Sequence, residues 1–459
     1  MSLSINGIHC TSLHFIGILG SGMSAVAQYC CFDGLRVSGS DRLNNSAETL
    51  DIQSKLEGIG CAIVPQDGSG IISGLSVAIV STAIEESNPD ICAARNLNIP
   101  IVHRSDVLAA IVATKKTIAV AGTSGKSTVA AMIFEFLAAC GKKPSLITGA
   151  GLLRLEESGC IGNAVYGSSN LLVIEADESD GTLVKYKPAI SLFLNVSKDH
   201  KPVDEIVSLF NCLALQSHMV ITNADDAGLS LMPSTHTFGL TESAFFHPDS
   251  IDALSPKVVL NKNGQEYSLP LPGRHNASNL IAALCVCTLL GCDTIGLARA
   301  VSAYRGVKRR FAVTMLKNNI TVIDDFAHNP DKVTAAISTA QTMCTKLFAI
   351  FQPHGYGPTR FLKNEFIDAF SRVLRPDDEL FLLPIYYAGG TAVADISSDD
   401  LAGGIIYNNR IVHTPPDRTS CISVLQYHIK PGNAVLIMGA RDPSLSFFVQ
   451  DVISALSGK

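Results

Sequence analysis

The sequence predicts an α/β chain of three successive domains, and three observations carry that expectation. Apolar segments of strand length alternate with helix-patterned segments along the chain, as in parallel sheets covered by helices. Polar and acidic residues gather just after the strand-like segments, where open parallel sheets bind ligands. The 459 residues exceed what one core ordinarily organises, and 47% apolar with 17% charged residues describes a well-buried chain. A net charge of -6 without a Lys/Arg-rich run argues against a nucleic-acid partner. No apolar run reaches membrane-spanning length and no leader pattern opens the chain, so a cytoplasmic protein without a membrane partner is expected. The thirteen cysteines are odd in number, contain no C-x-x-C pair and often sit in apolar helical runs such as Leu284-Cys-Val-Cys-Thr. Reduced, buried thiols are expected.

Residues 1–112 read as a Rossmann-like domain. His14-Phe-Ile-Gly-Ile-Leu-Gly20-Ser21-Gly22-Met23 gives a strand, a glycine turn and a helix start, and Leu35-Arg-Val-Ser-Gly-Ser-Asp41 gives a second strand ending in an acid. That order suits a diphosphate at the turn and a ribose or base at the acid, although tight helix–strand packing also explains such glycines. Val77–Thr82 and Ile99–Val102 continue the sheet, and Pro100 marks a strand start or edge.

Residues 113–308 read as a P-loop ATPase-like domain. Thr117-Ile-Ala-Val-Ala is a buried strand, Gly122-Thr123-Ser124-Gly125-Lys126-Ser127-Thr128 a phosphate loop, and the following run a helix. Backbone N–H groups of such a turn face the anion, Lys126 adds positive charge, and the Ser127 hydroxyl can ligate Mg²⁺. Val120 occupies the first glycine position of the full motif, so the flanking strand and helix carry the assignment to ATP or GTP. Leu171-Leu-Val-Ile-Glu175-Ala-Asp-Glu-Ser-Asp180 is a strand ending in acids, suited to Mg²⁺ or simply to solvent. Ala189–Asn195 leads to Asp199-His200, whose ring nitrogen could ligate metal or make a structural hydrogen bond. His275, Asn276 and Asn279 precede an apolar helix expected over Leu280–Leu290, where they could cap it or read a base.

Residues 309–459 read as a second Rossmann-like domain, entered through Tyr304-Arg-Gly-Val-Lys-Arg309-Arg310-Phe. Its strand candidates start at Ile320, Leu347, Glu379 and Ala434. Their mouths carry Asp324-Asp325-Phe-Ala-His328-Asn329, Gln352-Pro-His354-Gly-Tyr-Gly-Pro-Thr-Arg360, and Gly439-Ala-Arg441-Asp442.

In this order, the motifs resemble those of the Mur ligase family, ATP-dependent enzymes that form amides in peptidoglycan precursor synthesis. The likeness spans the chain and is strongest to the branch that adds L-alanine to UDP-N-acetylmuramate, or to the recycling branch that attaches a short peptide. It implies that Gly20, Ser21, Gly22 and Met23 hold the UDP diphosphate, with Asp41 near the uridine. It implies that Gly122–Thr128 hold the ATP phosphates, that Ser127, Glu175 and His200 ligate Mg²⁺, and that His275, Asn276 and Asn279 face the adenine. Arg310 and Asp325 would complete the nucleotide clamp, and His328, His354 and Arg360 would meet the amino acid or an acyl phosphate. Lys126, Glu175, His200, Arg310, His328, His354 and Arg360 are thus the expected catalytic set. A last domain closing about Arg309–Ala312 would exclude water, and a monomer or homodimer is expected.

Departures from the family pattern bear on substrate choice. Other branches carry a carbamylated lysine beyond the Asp-His pair; here Lys201 is adjacent and the next lysine is Lys257, which favours alanine addition. Ser124 stands where that branch usually has histidine, Asn329 replaces a common second histidine, and Gly355–Arg360 is altered. A binding protein without turnover is the alternative class, though it would have no need of Lys126, Glu175 and His200. An NAD-dependent oxidoreductase would leave the phosphate loop unexplained.

Overall fold

The structure, a computed structural model, describes residues 2–197, 202–253, 257–387, 393–440, 442 and 444–458. The expected Lys198-Asp199-His200-Lys201 and Arg441 lie outside these residues. Mixed α/β architecture holds throughout, around three main sheets.

The first sheet has five parallel strands in the order Ala62–Val64, Arg36–Ser40, Ser12–Ile16, Val77–Val80, Ile101–His103. Ser12–Ile16 is fully buried and central, so the glycine turn after it opens at the point where strand order reverses. The edge strand starts directly after Pro100, as a missing donor requires. The second sheet places Lys116–Ala121 between Leu171–Ala176 and Ile190–Phe193, all parallel. Ser145–Ile147, Met219–Asn223 and His236–Phe238 extend it in parallel, and Ala164–Val165 adds an antiparallel edge. A small antiparallel sheet follows over Ser250–Asp252, Val258–Lys262 and Gln265–Leu269. The third main sheet runs Ala312–Met315, Thr321–Asp325, Ala434–Gly439, Leu347–Gln352, Glu379–Leu382, Ile411–His413, parallel except for its first pair.

The chain forms two compact units, one carrying the first two main sheets and the small sheet, the other carrying the third from Val307 onward. The first two sheets share one apolar cluster that runs from Leu3 through Met232. Helix Ser21–Phe32 supplies part of that junction: Tyr29 packs on Tyr166 with ring centroids 5.1 Å apart. Gln28 Nε2 donates to Asn163 Oδ1 at 2.7 Å, and Asn163 Nδ2 donates to the Ser21 carbonyl at 2.9 Å. The phosphate-loop helix Lys126–Ala139 is buried from Ser127 to Leu137, which its nearly continuous apolar sequence allows. All thirteen cysteines are free. No helix among the described residues is long and apolar enough to cross a membrane.

One local expectation is corrected. The helix placed at Leu280–Leu290 begins at Arg274 and ends at Leu289, so His275, Asn276 and Asn279 lie in its first turns rather than before it. Pro272 and Gly273 stop the helix from starting earlier, and polar residues in a first helical turn do not break the helix they open.

Candidate active site

The phosphate loop joins strand Lys116–Ala121 to helix Lys126–Ala139, and two glycines set its path. Gly122 has φ +148°, and a Cβ there would lie 3.0 Å from Leu194 Cβ; Gly125 has φ +85° and starts the helix from the left-handed region. No side chain caps that helix start, so its first-turn N–H groups are suited to an anion. Asn195, at the end of the adjacent strand, fixes the loop from below: its Oδ1 accepts from Ser124 N at 2.8 Å and Thr123 Oγ1 at 3.0 Å. Its Nδ2 donates to the Ser124 carbonyl at 3.1 Å.

Three predicted residues meet at the loop. Ser127 Oγ donates to Glu175 Oε2 at 3.0 Å, while Gly149 N and the Thr148 hydroxyl donate to Glu175 Oε1. Lys126 Nζ donates to the Gly122 carbonyl and to Glu178 Oε2, each at 2.7 Å, with Asp177 Oδ1 at 3.6 Å. Burial pulls the Lys126 ammonium down, but Asp177, Glu178 and Glu175 outweigh it and hold its pKa above the ordinary value. Burial raises the Glu178 carboxyl, with Lys126 pulling the other way. Lys126 therefore stays charged in a nest of carboxylates. Thr128 is buried in the helix. Asn279 stands against the loop: a Cβ on Gly125 would fall 2.7 Å from its Oδ1, and its amide lies 3.4 Å from Asn276 Oδ1. Asn276 is buried and His275 is exposed.

At the first sheet, Ser21, Gly22 and Met23 form the first turn of a helix that Gly20 opens without a side-chain cap. Their backbone N–H groups suit a diphosphate. The Met23 side chain belongs to the core, leaving only its backbone for that role. Asp41 uses both oxygens on backbone donors, Leu19 N at 3.1 Å and Leu43 N at 3.0 Å, bracing the glycine turn. Arg104, which the sequence did not mark, packs its guanidinium where a Gly22 Cβ would stand. It also pairs with Asp180 at 3.4 Å, linking the turn to the acidic strand mouth.

In the second unit, Arg309 takes φ +55° and donates to the Gly439 carbonyl at 2.7 Å and to Asp324 at 3.3 Å. Arg310 lies 4.8 Å over the Phe326 ring. Asp325 accepts from Phe311 N at 2.8 Å and Ala327 N at 2.7 Å, so it knots the entry segment to the strand mouth. Burial raises its carboxyl despite Arg310. His328 and His354 come together with ring centroids 5.5 Å apart, and His328 Nδ1 meets the Phe326 carbonyl at 2.8 Å. Arg360 is half-exposed and paired with Asp395. Asn195, Asn163, Arg104, Glu178 and Thr148 are the site-shaping residues without a sequence-assigned role. Only Asn195 and Glu178, at strand mouths, carried a usable signal.

Three family models cover successive stretches: "Mur ligase family, catalytic domain" over residues 12–116, "Mur ligase middle domain" over 120–287 and "Mur ligase, glutamate ligase domain" over 309–441. A UDP-N-acetylmuramate--L-alanine ligase from Acaryochloris marina is 33% identical, across 96% of this chain and 95% of its own length. The crystal structure of UDP-N-acetylmuramate-alanine ligase MurC from Thermotoga maritima superposes with a TM-score of 0.80 at 26% identity, covering 97% of this chain and 99% of that one. A murein peptide ligase from Psychrobacter arcticus shares the fold, with a TM-score of 0.70 at 20% identity over 98% of this chain and 99% of that one. Matched domain by domain, and along almost all of its length by a relative at one-third identity, the chain belongs to the Mur ligase family.

Proposed function

We propose that this chain is an ATP-dependent ligase that joins the lactyl carboxylate of UDP-N-acetylmuramate to L-alanine in peptidoglycan precursor synthesis. The observation that carries the reading is Lys126 at an uncapped helix start, beside the Ser127 hydroxyl of the same helix and the Glu175 carboxylate of the neighbouring strand. The full-length relatives named for alanine addition support alanine over a peptide, whereas the peptide-ligase likeness supports only a common fold.

In this reading the first-turn N–H groups of Ser21, Gly22 and Met23 take the UDP diphosphate, and Asp41 holds the turn open toward the uridine. ATP phosphates settle on Gly122–Thr128, and Lys126 leaves Glu178 to face the γ-phosphate. The adjoining Ser127 and Glu175 oxygens form a hard donor pair that fits Mg²⁺. His200 is assigned as their third partner. Bound there, Mg²⁺ would supply Lewis acidity to the phosphates.

The lactyl carboxylate oxygen attacks the γ-phosphorus, ADP leaves, and an acyl phosphate forms. Two anions must approach, and Lys126 offsets their repulsion. The neutral amine of alanine then attacks the acyl carbon; phosphate departs, a proton leaves the nitrogen, and the amide remains. His275, Asn276 and Asn279 are assigned to the adenine, and Asn279 also stands against the phosphate loop. Arg310 and Asp325 are assigned to the nucleotide clamp, and His328, His354 and Arg360 to the amino acid and acyl phosphate. Domain limits at 112/113 and 308/309, a cytoplasmic location and a monomer or homodimer belong to the same reading.

The test is a phosphate-release screen of UDP-N-acetylmuramate and ATP against single amino acids and short muropeptides. Alanine-dependent release is expected. Release only with a peptide would move the chain to recycling, and sugar-nucleotide binding without release would make it a binding protein.

A further inference from the structure

Outside the nucleotide sites, the third sheet carries a second convergence of ligating side chains. Glu379 opens strand Glu379–Leu382, His413 ends strand Ile411–His413, and His428 ends helix Arg418–His428. His413 Nε2 lies 2.8 Å from Glu379 Oε2, and His428 Nδ1 lies 3.0 Å from the same oxygen. Among the described residues this is the one group of three His, Cys, Asp or Glu side chains whose donor atoms all fall within 4.8 Å of each other. The carboxylate is buried at 4% exposure, whereas the imidazoles are 29% and 34% exposed, so solvent reaches the group from the histidine side. Phe381 stacks on the His413 ring at 4.5 Å between centroids, which fixes one ligand in place.

Lys346 Nζ donates to the other carboxylate oxygen at 2.7 Å and already balances its charge. Charge alone therefore does not account for two imidazoles converging on one carboxylate, His413 on Oε2 and His428 astride both oxygens, 3.1 Å from Oε1. We propose that Glu379, His413 and His428 form a site for a borderline divalent ion of the Zn²⁺ class. Two ring nitrogens and one carboxylate oxygen are a donor set that imidazole-seeking ions prefer, and Ca²⁺ or Mg²⁺ do not. With Zn–ligand bonds of about 2.0–2.1 Å, a tetrahedral ion separates its ligands by about 3.3–3.4 Å. The two short edges here need open by only a few tenths of an ångström, and water can take the fourth position. Each histidine presents a lone pair by moving its proton to the other ring nitrogen. The ion would clip the helix Arg418–His428 onto the outer strands of the sheet.

The test uses the full chain, chelator-stripped and kept reduced, titrated with Zn²⁺ by equilibrium dialysis and with Co²⁺ by visible absorption. The expected result is an equivalent with cobalt d–d bands and no thiolate charge-transfer band. His413→Gln and His428→Gln each weaken it at least about tenfold, with metal-free melting unchanged to show that they fold. Glu175→Gln keeps it, which separates it from any ion at the phosphate loop. Lys346→Met tightens it several-fold by removing a competing cation. No uptake, a thiolate signature, uptake indifferent to the two histidine variants, or a looser site in Lys346→Met would overturn the proposal.

Discussion

Removing the positive charge of the phosphate loop tests whether the acids around it are held down by Lys126. Lys126 is 14% exposed and Glu178 only 4%, at 2.7 Å, so Lys126→Met leaves a buried carboxylate with no cation. Breaking a fully buried pair costs about 3–5 kcal/mol; Asp177, half in water, brings the expected loss to about 2–3 kcal/mol. In the large compact unit that carries the loop, that corresponds to a melting temperature lower by roughly 3–5 °C. The pH dependence has a definite sign. The folded-state pKa of Glu178 is raised, by burial, and losing Lys126 raises it further. The folded variant then holds a proton that the unfolded chain releases, so its stability falls as pH rises above the ordinary carboxylate range. The deficit is full above the raised folded value and fades as acid protonates Glu178. Differential scanning calorimetry at pH 5 and pH 8 reads this directly. Lys126→Met/Glu178→Gln should recover most of the lost stability while phosphate release stays absent in both variants. Equal melting of Lys126→Met and the parent at pH 8, or no recovery in the double variant, would refute the reasoning.

Gly125→Ala forces a side chain into φ +85° and toward Asn279 Oδ1, costing about 1–2 kcal/mol of backbone strain in addition to the clash. Isothermal titration should show ATP weakened by more than tenfold and UDP-N-acetylmuramate binding unchanged. Asn163→Ala removes donors to the Ser21 carbonyl and Ser24 Oγ and leaves one Gln28 amide hydrogen without its acceptor, the Ser24 carbonyl keeping the amide's other bond, a loss of about 1–3 kcal/mol by thermal unfolding. It should also weaken UDP-sugar binding several-fold, because the first helical turn loses its anchor; unaltered affinity would remove Asn163 from that role.

The sequence made the strands and their mouths legible because each mouth is a local pattern: an apolar run, then glycine or acid. Gly122–Thr128 and Glu175 were found this way, and their meeting follows from Lys116–Ala121 and Leu171–Ala176 being neighbours. The start of the helix at Arg274 was misread because amides and imidazoles resemble a cap as much as a first turn. Arg104 and Asn163 could not be read with their present roles, and Asn195 only as a polar residue at a strand mouth. Their partners lie from 71 to 142 residues away along the chain, and no local pattern records such distances. Asp41 was placed correctly at a strand end, yet its oxygens serve Leu19 and Leu43 N–H groups, a use invisible without the turn's path.

Transfer of oxygen from substrate to phosphate tests the chemistry most directly. UDP-N-acetylmuramate labelled with ¹⁸O in its lactyl carboxylate is turned over with ATP and L-alanine, and the released phosphate is weighed by mass spectrometry. Attack of that carboxylate on the γ-phosphorus predicts phosphate that carries one labelled oxygen per amide formed. Unlabelled phosphate alongside normal amide formation would contradict the acyl-phosphate route.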